Sequence, residues 1–242
     1  MSDPFTTLLN AQLTIGDQHI LWREILGNAF GLASAVGGMR RRVWAWPVGI
    51  VGNVLLFTVF LGAAFNTPQG QNLLGQAGRQ VMFVIVSVYG WARWRRARAA
   101  RAAQAAQAAG AGDALDQPAV SPRWATWTER ITLAGVAAVS VAILTPVFDA
   151  LGSFPPVWAD AWIFTGSFLA TYAMARGWVE FWLIWIGVDV VGVPLLLRAH
   201  LYPSAVLYLV YGGFVIWGFV VWHRVYRVES GRVAPAAVEV SR

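Results

Sequence analysis

The sequence of 242 residues contains no cysteine and no lysine. Without cysteine, the chain cannot form a disulfide framework, a thiolate metal site or a cysteine nucleophile. Charged residues make up only 12% of the chain and hydrophobic residues 57%. In soluble domains, about 25% of all residues are charged. The mean hydropathy is +0.55. The chain therefore has too little polar surface to cover itself in water, and we interpret it as a membrane protein.

Several functional signals are also missing. The sequence has no G-x-x-x-x-G-K-[ST] phosphate-binding loop, and its three histidines show no metal-ligand spacing. The net charge of +6 comes from arginines clustered beside apolar runs, which is typical of membrane topology rather than of a nucleic-acid surface. We therefore expect no cofactor, no metal ion and no nucleic-acid partner. The start of the chain lacks the basic region of a cleavable signal peptide.

Seven apolar stretches approach the roughly 20 residues that cross a bilayer. They cover residues 20–39, 43–65, 76–94, 130–148, 159–175, 178–197 and 203–222. This pattern predicts an all-α membrane protein with seven transmembrane helices in a 3+1+3 arrangement. The predicted parts are an extracytoplasmic segment (1–19), a three-helix bundle (20–94), a cytoplasmic linker (95–128), a connecting transmembrane helix (129–150), a second bundle (155–224) and a cytoplasmic tail (225–242).

The arginine clusters predict the orientation, because positive residues in short loops are retained in the cytoplasm. The clusters are Arg40 to Arg42, Arg93 to Arg101, Arg176, and Arg224 with Arg227. All four lie on one side of the membrane if the N-terminus is outside and the C-terminus inside. Arg79 and Arg198 are the exceptions. We expect a multi-pass protein of the inner, cytoplasmic membrane.

The two predicted bundles share two spacings. A G-x-x-x-W motif closes the last helix of each bundle, and a tryptophan precedes a polar residue by seven positions in each middle helix. The matching pairs are Gly90–Trp94 with Gly218–Trp222, and Trp46–Asn53 with Trp182–Asp189. Together with the 3+1+3 order, these spacings favour a parallel repeat, because the connecting helix restores the orientation of the second bundle.

Two motifs carry a resemblance to a known family. One is S-x-Y-G-W-x-x-W starting at Ser87, and the other is the W-x-x-W of Trp182 and Trp185. Over residues 20–94 and 155–224 the chain resembles the PnuC family of vitamin-uptake transporters. The resemblance implies a SWEET-like fold, a homo-oligomer, and facilitated diffusion of nicotinamide riboside or, in relatives, thiamine or riboflavin. It also implies that a cytoplasmic kinase draws uptake by phosphorylating the substrate.

A carrier of an aromatic vitamin needs flat apolar surfaces and a few hydrogen-bonding groups within the membrane. Trp182, Trp185 and Asp189 stand at i, i+3 and i+7 and so share one helical face. An ionised Asp189 at mid-membrane costs about 3 kcal/mol, so it should face a cavity or a partner, or be protonated. The alternative for the two tryptophans is an interfacial aromatic belt, and the alternative for Asp189 is a hydrogen bond between packed helices. The other predicted substrate-binding residues are Asn53, Gln80, Tyr208 and Ser167. For Glu180, an ion pair with Arg176 is the simplest prediction.

The substrate stays open between two vitamins. Nicotinamide riboside is slightly favoured, because its cationic ring suits Asp189 and nearby tryptophans. Riboflavin is the alternative, since residues 179–182 and 188–194 also resemble actinobacterial riboflavin carriers. A membrane-embedded enzyme is not expected, because Asp189 alone is both deep and ionisable. A non-transporting membrane subunit is a more distant alternative.

Overall fold

The computed structural model describes residues 11–15, 18–61, 64–65, 74–108, 118–153, 155–198 and 202–239. These residues form seven helices and one short antiparallel pair of strands. The strands are β1 (Gln12–Ile15) and β2 (Gln18–Leu21). The helices are α1 (Trp22–Met39), α2 (Ala45–Phe60), α3 (Leu74–Ala108), α4 (Trp127–Ala150), α5 (Val157–Arg176), α6 (Glu180–Arg198) and α7 (Tyr202–Glu239). The chain divides into unit 1, Met1–Ala119, and unit 2, Val120–Arg242.

In unit 1, α1 and α2 form a tight hairpin that small residues hold together. A Cβ added at Gly52 would lie 2.8 Å from the carbonyl oxygen of Gly27. Side chains at these positions would separate the helices, which is why small residues recur at close helix crossings. The Ser34 hydroxyl donates to the Ala45 carbonyl at 2.7 Å and fixes the start of α2. Arg41, with φ of 56°, turns the chain between the two helices.

In unit 2, α4 begins at a complete capping box. The Thr126 hydroxyl accepts from the Glu129 backbone N–H, and the Glu129 carboxylate accepts from the Thr126 backbone N–H. α5 ends at Gly177, whose φ of 74° reverses the chain toward α6. Gly166 of α5 receives the Val188 side chain of α6 at a distance that leaves no room for a Cβ. The helices α5, α6 and α7 thus pack in sequence, with α4 against α5.

Both units use the same contact between their last two helices. In unit 1, the Trp46 ring lies over Gly90 and meets Trp94 edge-on, with ring centroids 5.2 Å apart. In unit 2, the Trp182 ring lies over Gly218 and meets Trp222 at 6.3 Å. The glycine is needed because a Cβ at either position would overlap the indole. The shared spacings in the sequence therefore correspond to one packing arrangement that occurs twice.

Two of the described helices are long and apolar enough to cross a membrane by length and composition. They are Trp127–Ala150, with mean hydropathy 2.2, and Tyr208–Gly231, with mean hydropathy 1.2. None of the apolar window of α4 is buried inside the protein. An apolar helix that packs against α5 and has no buried residue in this window is suited to contact lipid on its remaining surface.

The described helices correspond to the seven predicted spans, with three differences. The strand pair precedes α1, in and just after the segment that the sequence predicted only as extracytoplasmic. In the sequence, a Gly-Asp pair between the two strands is a two-residue hairpin signal. α3 continues through Ala108 into the predicted linker. The last residues of that linker are also ordered, since the backbone of Arg123 forms an isolated parallel β-bridge with the backbone of Trp178. The middle of the linker, residues 109–117, lies outside the described residues.

Candidate substrate site

Asp189 lies in the middle of α6, and one of its carboxylate oxygens has no partner among the described residues. This atom, Oδ2, is buried and accepts no hydrogen bond from them. It faces Gly212 of α7, where an added Cβ would lie 3.5 Å away. Since glycine has no side chain, α7 offers no side-chain donor at that position. A buried acceptor without a donor is costly, so this oxygen is suited to accept a hydrogen bond from a transported molecule.

Tyr208 of α7 packs against α6 one helical turn beyond Asp189. Its ring lies on Gly192, where an added Cβ would be 2.7 Å from Tyr208 Cε1. The Cδ1 atom of Ile163, from α5, is 3.7 Å from the same position. Tyr208 also precedes Gly212 by one turn on α7. The structure therefore brings Asp189 and Tyr208, both predicted site residues, to the same stretch of the α6–α7 contact.

Trp182 and Trp185 occupy different environments on α6. Trp182 is only 3% exposed, and its ring centroid is 4.2 Å from that of Phe181 and 6.2 Å from that of Phe214. Trp185 is partly exposed. In this conformation a ligand could stack on Trp185, whereas stacking on Trp182 would require α7 to move away. A role for both rings in substrate binding stays a prediction.

Ser167 is buried in α5 and bonds within its own helix. Its hydroxyl donates to the Ile163 carbonyl at 2.7 Å, and the Thr171 hydroxyl donates to the Ser167 carbonyl at 2.8 Å. Hydroxyls that bond the preceding turn satisfy themselves without a ligand. Ser167 also follows Gly166, which contacts Val188. The structure thus places Ser167 at the packed α5–α6 contact.

Unit 1 contains the remaining two predicted site residues, at positions that match those in unit 2. Asn53 is partly exposed in α2, and Gln80 is buried in α3. Asn53 follows the packed tryptophan by seven residues, as Asp189 does; Gln80 precedes the packed glycine by ten, as Tyr208 does. Because the tryptophan–glycine contact sets the register of each helix pair, Asn53 and Gln80 are the counterparts of Asp189 and Tyr208.

Sequence reasoning missed the glycines that shape this region. Gly192 and Gly212 allow the Tyr208 ring and the Asp189 carboxylate to approach the opposite helix. The available signal was a glycine one turn after the deep aspartate on α6 and the Gly212–Gly213 pair on α7. Glycine in a helix interior is unfavourable, so it usually marks a close approach.

A charged cluster lies at the other end of α6, and it differs from the predicted one. The Glu180 carboxylate accepts from the Ala125 backbone N–H at 2.9 and 3.0 Å and pairs with Arg130 at 2.8 Å. Arg176 instead pairs with Glu129 at 3.2 Å. The predicted Glu180–Arg176 pair is replaced because the segment before α4 runs along the α5–α6 turn and brings Arg130 to Glu180.

The described residues hold no group of three or more histidine or acidic side chains placed for a metal ion.

Comparison with known proteins places the chain in a family. The family model described as nicotinamide mononucleotide transporter matches residues 21–224. The riboflavin/roseoflavin transporter RibM of Streptomyces davaonensis is 39% identical over 224 residues, which cover 91% of this chain and 93% of the relative. The chain belongs to the PnuC family of transporters.

The fold agrees with this membership. The crystal structure of the vitamin B3 transporter PnuC matches with a TM-score of 0.62 over 85% of this chain and 82% of that one, at 18% identity. The family resemblance predicted from the sequence is confirmed, and so is the prediction that the chain is not an enzyme, because its relatives are transporters. As a member of the PnuC family, the protein is an integral membrane protein that transports a vitamin.

Proposed function

We propose that this PnuC-family protein takes up riboflavin, or a close flavin analogue, by facilitated diffusion across the cytoplasmic membrane. The observation that carries the proposal is the 39% identity to the riboflavin/roseoflavin transporter RibM over nearly the whole of both chains. Identity at this level over matched lengths supports a related substrate. The likeness to the vitamin B3 transporter, at 18% identity, supports the fold alone.

The proposed substrate site centres on the α6–α7 contact of unit 2. Trp185 would stack on the isoalloxazine ring, since a flat indole matches a flat tricyclic ring. Asp189 and Tyr208 would bond the imide N–H and ribityl hydroxyls, because Oδ2 of Asp189 has no donor among the described residues. Trp182 and Ser167 would hold the helices in register, on the evidence of their buried contacts. In unit 1, Asn53 and Gln80 stay predicted substrate-binding residues.

Nicotinamide riboside is the second candidate, because a carboxylate oxygen without a donor is also suited to a cationic ring. The two vitamins make different demands on Asp189. A pyridinium cation gains from the negative charge, whereas neutral riboflavin needs only an acceptor. The substitution Asp189→Asn keeps the acceptor and removes the charge.

Binding measurements on purified protein test the proposal and the site together. Titration with riboflavin, followed by its fluorescence, should show saturable binding, and calorimetry with nicotinamide riboside should show weaker binding. Trp185→Ala should weaken riboflavin binding about ten- to hundredfold, since aromatic stacking contributes roughly 1–3 kcal/mol. Trp158→Ala is the matched control, because Trp158 is 51% exposed near the start of α5 and its replacement should leave binding like that of the parent protein.

Asp189→Asn then separates the two vitamins. Riboflavin affinity should change little, while a nicotinamide riboside carrier would lose most of its affinity. Tight nicotinamide riboside binding that Asp189→Asn abolishes would overturn the riboflavin proposal. Unchanged riboflavin binding in Trp185→Ala would instead move the site away from this face of α6.

The proposed topology has the N-terminus outside and the C-terminus in the cytoplasm, with a parallel 3+1+3 repeat. The arginine clusters and the repeated tryptophan–glycine contact support it. A reporter fused after Arg242 should be active in the cytoplasm, and one inserted at residues 66–73 should report the outside. The opposite pattern would refute this orientation. A homo-oligomer, and a cytoplasmic kinase that traps the flavin by phosphorylation, complete the proposed uptake system.

A further inference from the structure

The segment before α4 is hydrogen-bonded to the turn between α5 and α6. The Arg123 backbone N–H donates to the Gly177 carbonyl at 3.0 Å, and the Arg123 carbonyl accepts from the Val179 backbone N–H at 2.9 Å. Two residues later, the Ala125 backbone N–H donates to both carboxylate oxygens of Glu180. We call the three residues from Arg123 to Ala125 the strap. Hydrogen bonds at both ends of the strap thus fix its backbone at the start of α6.

The middle residue of the strap, Trp124, packs its ring against α7. Its ring centroid lies 6.4 Å from that of Phe219, 6.1 Å from that of His223 and 6.4 Å from that of Tyr226, in edge-to-face contacts. These three residues stand at i, i+4 and i+7 and so share one face of α7. The Arg130 guanidinium also lies 5.6 Å from the Trp124 ring. The strap therefore connects the start of α6 to α7.

The same stretch of α7 also covers the start of α6. Gly218 and Trp222 immediately precede Phe219 and His223, and both contact the ring of Trp182. Consecutive residues of a helix lie about 100° apart around its axis. Two adjacent faces of one stretch of α7 therefore contact α6 and the strap.

This arrangement bears on transport, because a carrier exposes its substrate site to each side of the membrane in turn. The proposed site lies at the α6–α7 contact, where Trp182 is buried in this conformation. Exposing that contact requires α7 to move away from α6. The ring contacts of Trp124 can separate without leaving an unpaired polar group, whereas breaking the hydrogen bonds of the strap would leave several. α7 can therefore leave Trp124 while the strap stays bonded to the α5–α6 turn.

We propose that Trp124 is a latch, which holds α7 against the start of α6 in this conformation and separates from α7 in each transport cycle. Trp124 is then a positioning residue for transport and not a substrate ligand. The inference goes beyond the proposed function, and only the use of riboflavin as a probe rests on that function. A purely structural contact would instead stay closed throughout transport.

Cross-linking tests whether the latch must open. The chain contains no cysteine, so an introduced pair is the only thiol pair present. In the Trp124→Cys/Tyr226→Cys variant, a short bis-methanethiosulfonate reagent should abolish riboflavin uptake into vesicles, and a reducing agent should restore it. The matched control is Phe148→Cys/Phe164→Cys, at a ring contact of 5.8 Å between α4 and α5, and its cross-linking should leave uptake intact. With cross-links verified by mass spectrometry, continued uptake in the latch pair or an equal loss in the control pair would overturn the proposal.

Alkylation of a buried cysteine tests the latch without any substrate. Val215 is 7% exposed and precedes Gly218 by three residues, on the face of α7 that contacts α6. In a Val215→Cys background, Trp124→Ala should raise the rate of maleimide alkylation about tenfold, because three ring contacts are lost, and Trp124→Phe should restore much of the protection. Trp127→Ala is the matched control, since Trp127 also lies near the Arg130 guanidinium, at 5.2 Å, but is 75% exposed. It should leave the rate unchanged.

A second probe separates opening of the latch from general loss of packing. Leu169 is also buried, at 5% exposure, but belongs to α5. In a Leu169→Cys background, Trp124→Ala should leave the alkylation rate unchanged. Equal acceleration at both probes, or no acceleration at Val215→Cys, would overturn the proposal. If the parent protein carries no riboflavin, the proposed substrate is wrong, and the alkylation rates alone decide whether Trp124 is a latch.

Discussion

The contact between Trp46 and Gly90 makes a sharp prediction about stability. Replacing Gly90 by alanine would place a Cβ 2.5–2.6 Å from three carbon atoms of the Trp46 ring. Ordinary contacts between carbon atoms are about 3.5–4.0 Å, so the ring or the helix must shift by roughly 1 Å or more. Trp46 is 3% exposed and rests on Trp94, which is completely buried. Any shift of the Trp46 ring therefore disturbs its buried contact with Trp94.

The expected cost follows from overpacking and helix propensity. Forcing an extra methyl group into a packed contact costs about 1–3 kcal/mol. Alanine is favoured over glycine in a helix by up to about 1 kcal/mol, and this gain partly conceals the overlap. Gly78→Ala is the matched control on the same helix α3, because a Cβ added there would meet no atom within 4 Å from the described residues beyond its own helical turn. The difference between the two variants should therefore be the overlap itself.

Thermal unfolding in detergent measures this difference. At roughly 2–4 °C per kcal/mol for a chain of this size, Gly90→Ala should melt about 2–12 °C below Gly78→Ala. In a Trp46→Leu background, Gly90→Ala should lower the melting temperature less than it does in the parent protein, because the smaller side chain removes the overlap. If Gly90→Ala and Gly78→Ala melt at the same temperature, the tryptophan–glycine contact does not hold α2 against α3.

Two further predictions concern unit 2. Gly218→Ala should melt lower than its control Gly213→Ala, which has open space around the added Cβ, by an amount similar to the unit 1 pair; a clear difference between the units would contradict their common packing. Glu180→Ala should cost about 1–3 kcal/mol, since it removes the acceptor of a buried backbone N–H as well as an ion pair. In a double-mutant cycle, Glu180→Ala and Arg130→Ala should be non-additive by about 1 kcal/mol; additive losses of melting temperature would show that the pair contributes nothing.

The relation between sequence and structure is clearest along α6. The spacing of Trp182, Trp185 and Asp189 predicts one helical face, and the structure keeps all three on α6. Spacing could not predict that α7 would cover Trp182 and leave Trp185 partly exposed. Burial depends on which helix packs against that face, and no local pattern specifies the packing partner. The same applies to Glu180, whose partner Arg130 is 50 residues away in the chain.

The sequence by itself determined the class of the protein, the seven helices, and the transporter family. These properties follow from composition, local periodicity and short motifs, because a chain with few charges and seven apolar runs has few other ways to satisfy its backbone in lipid. Only the tertiary structure decided that Gly90 and Gly218 receive equivalent tryptophans, and that Oδ2 of Asp189 faces Gly212 without a donor from the described residues. These features depend on distances between side chains far apart in the chain, which helix packing sets and periodicity does not encode.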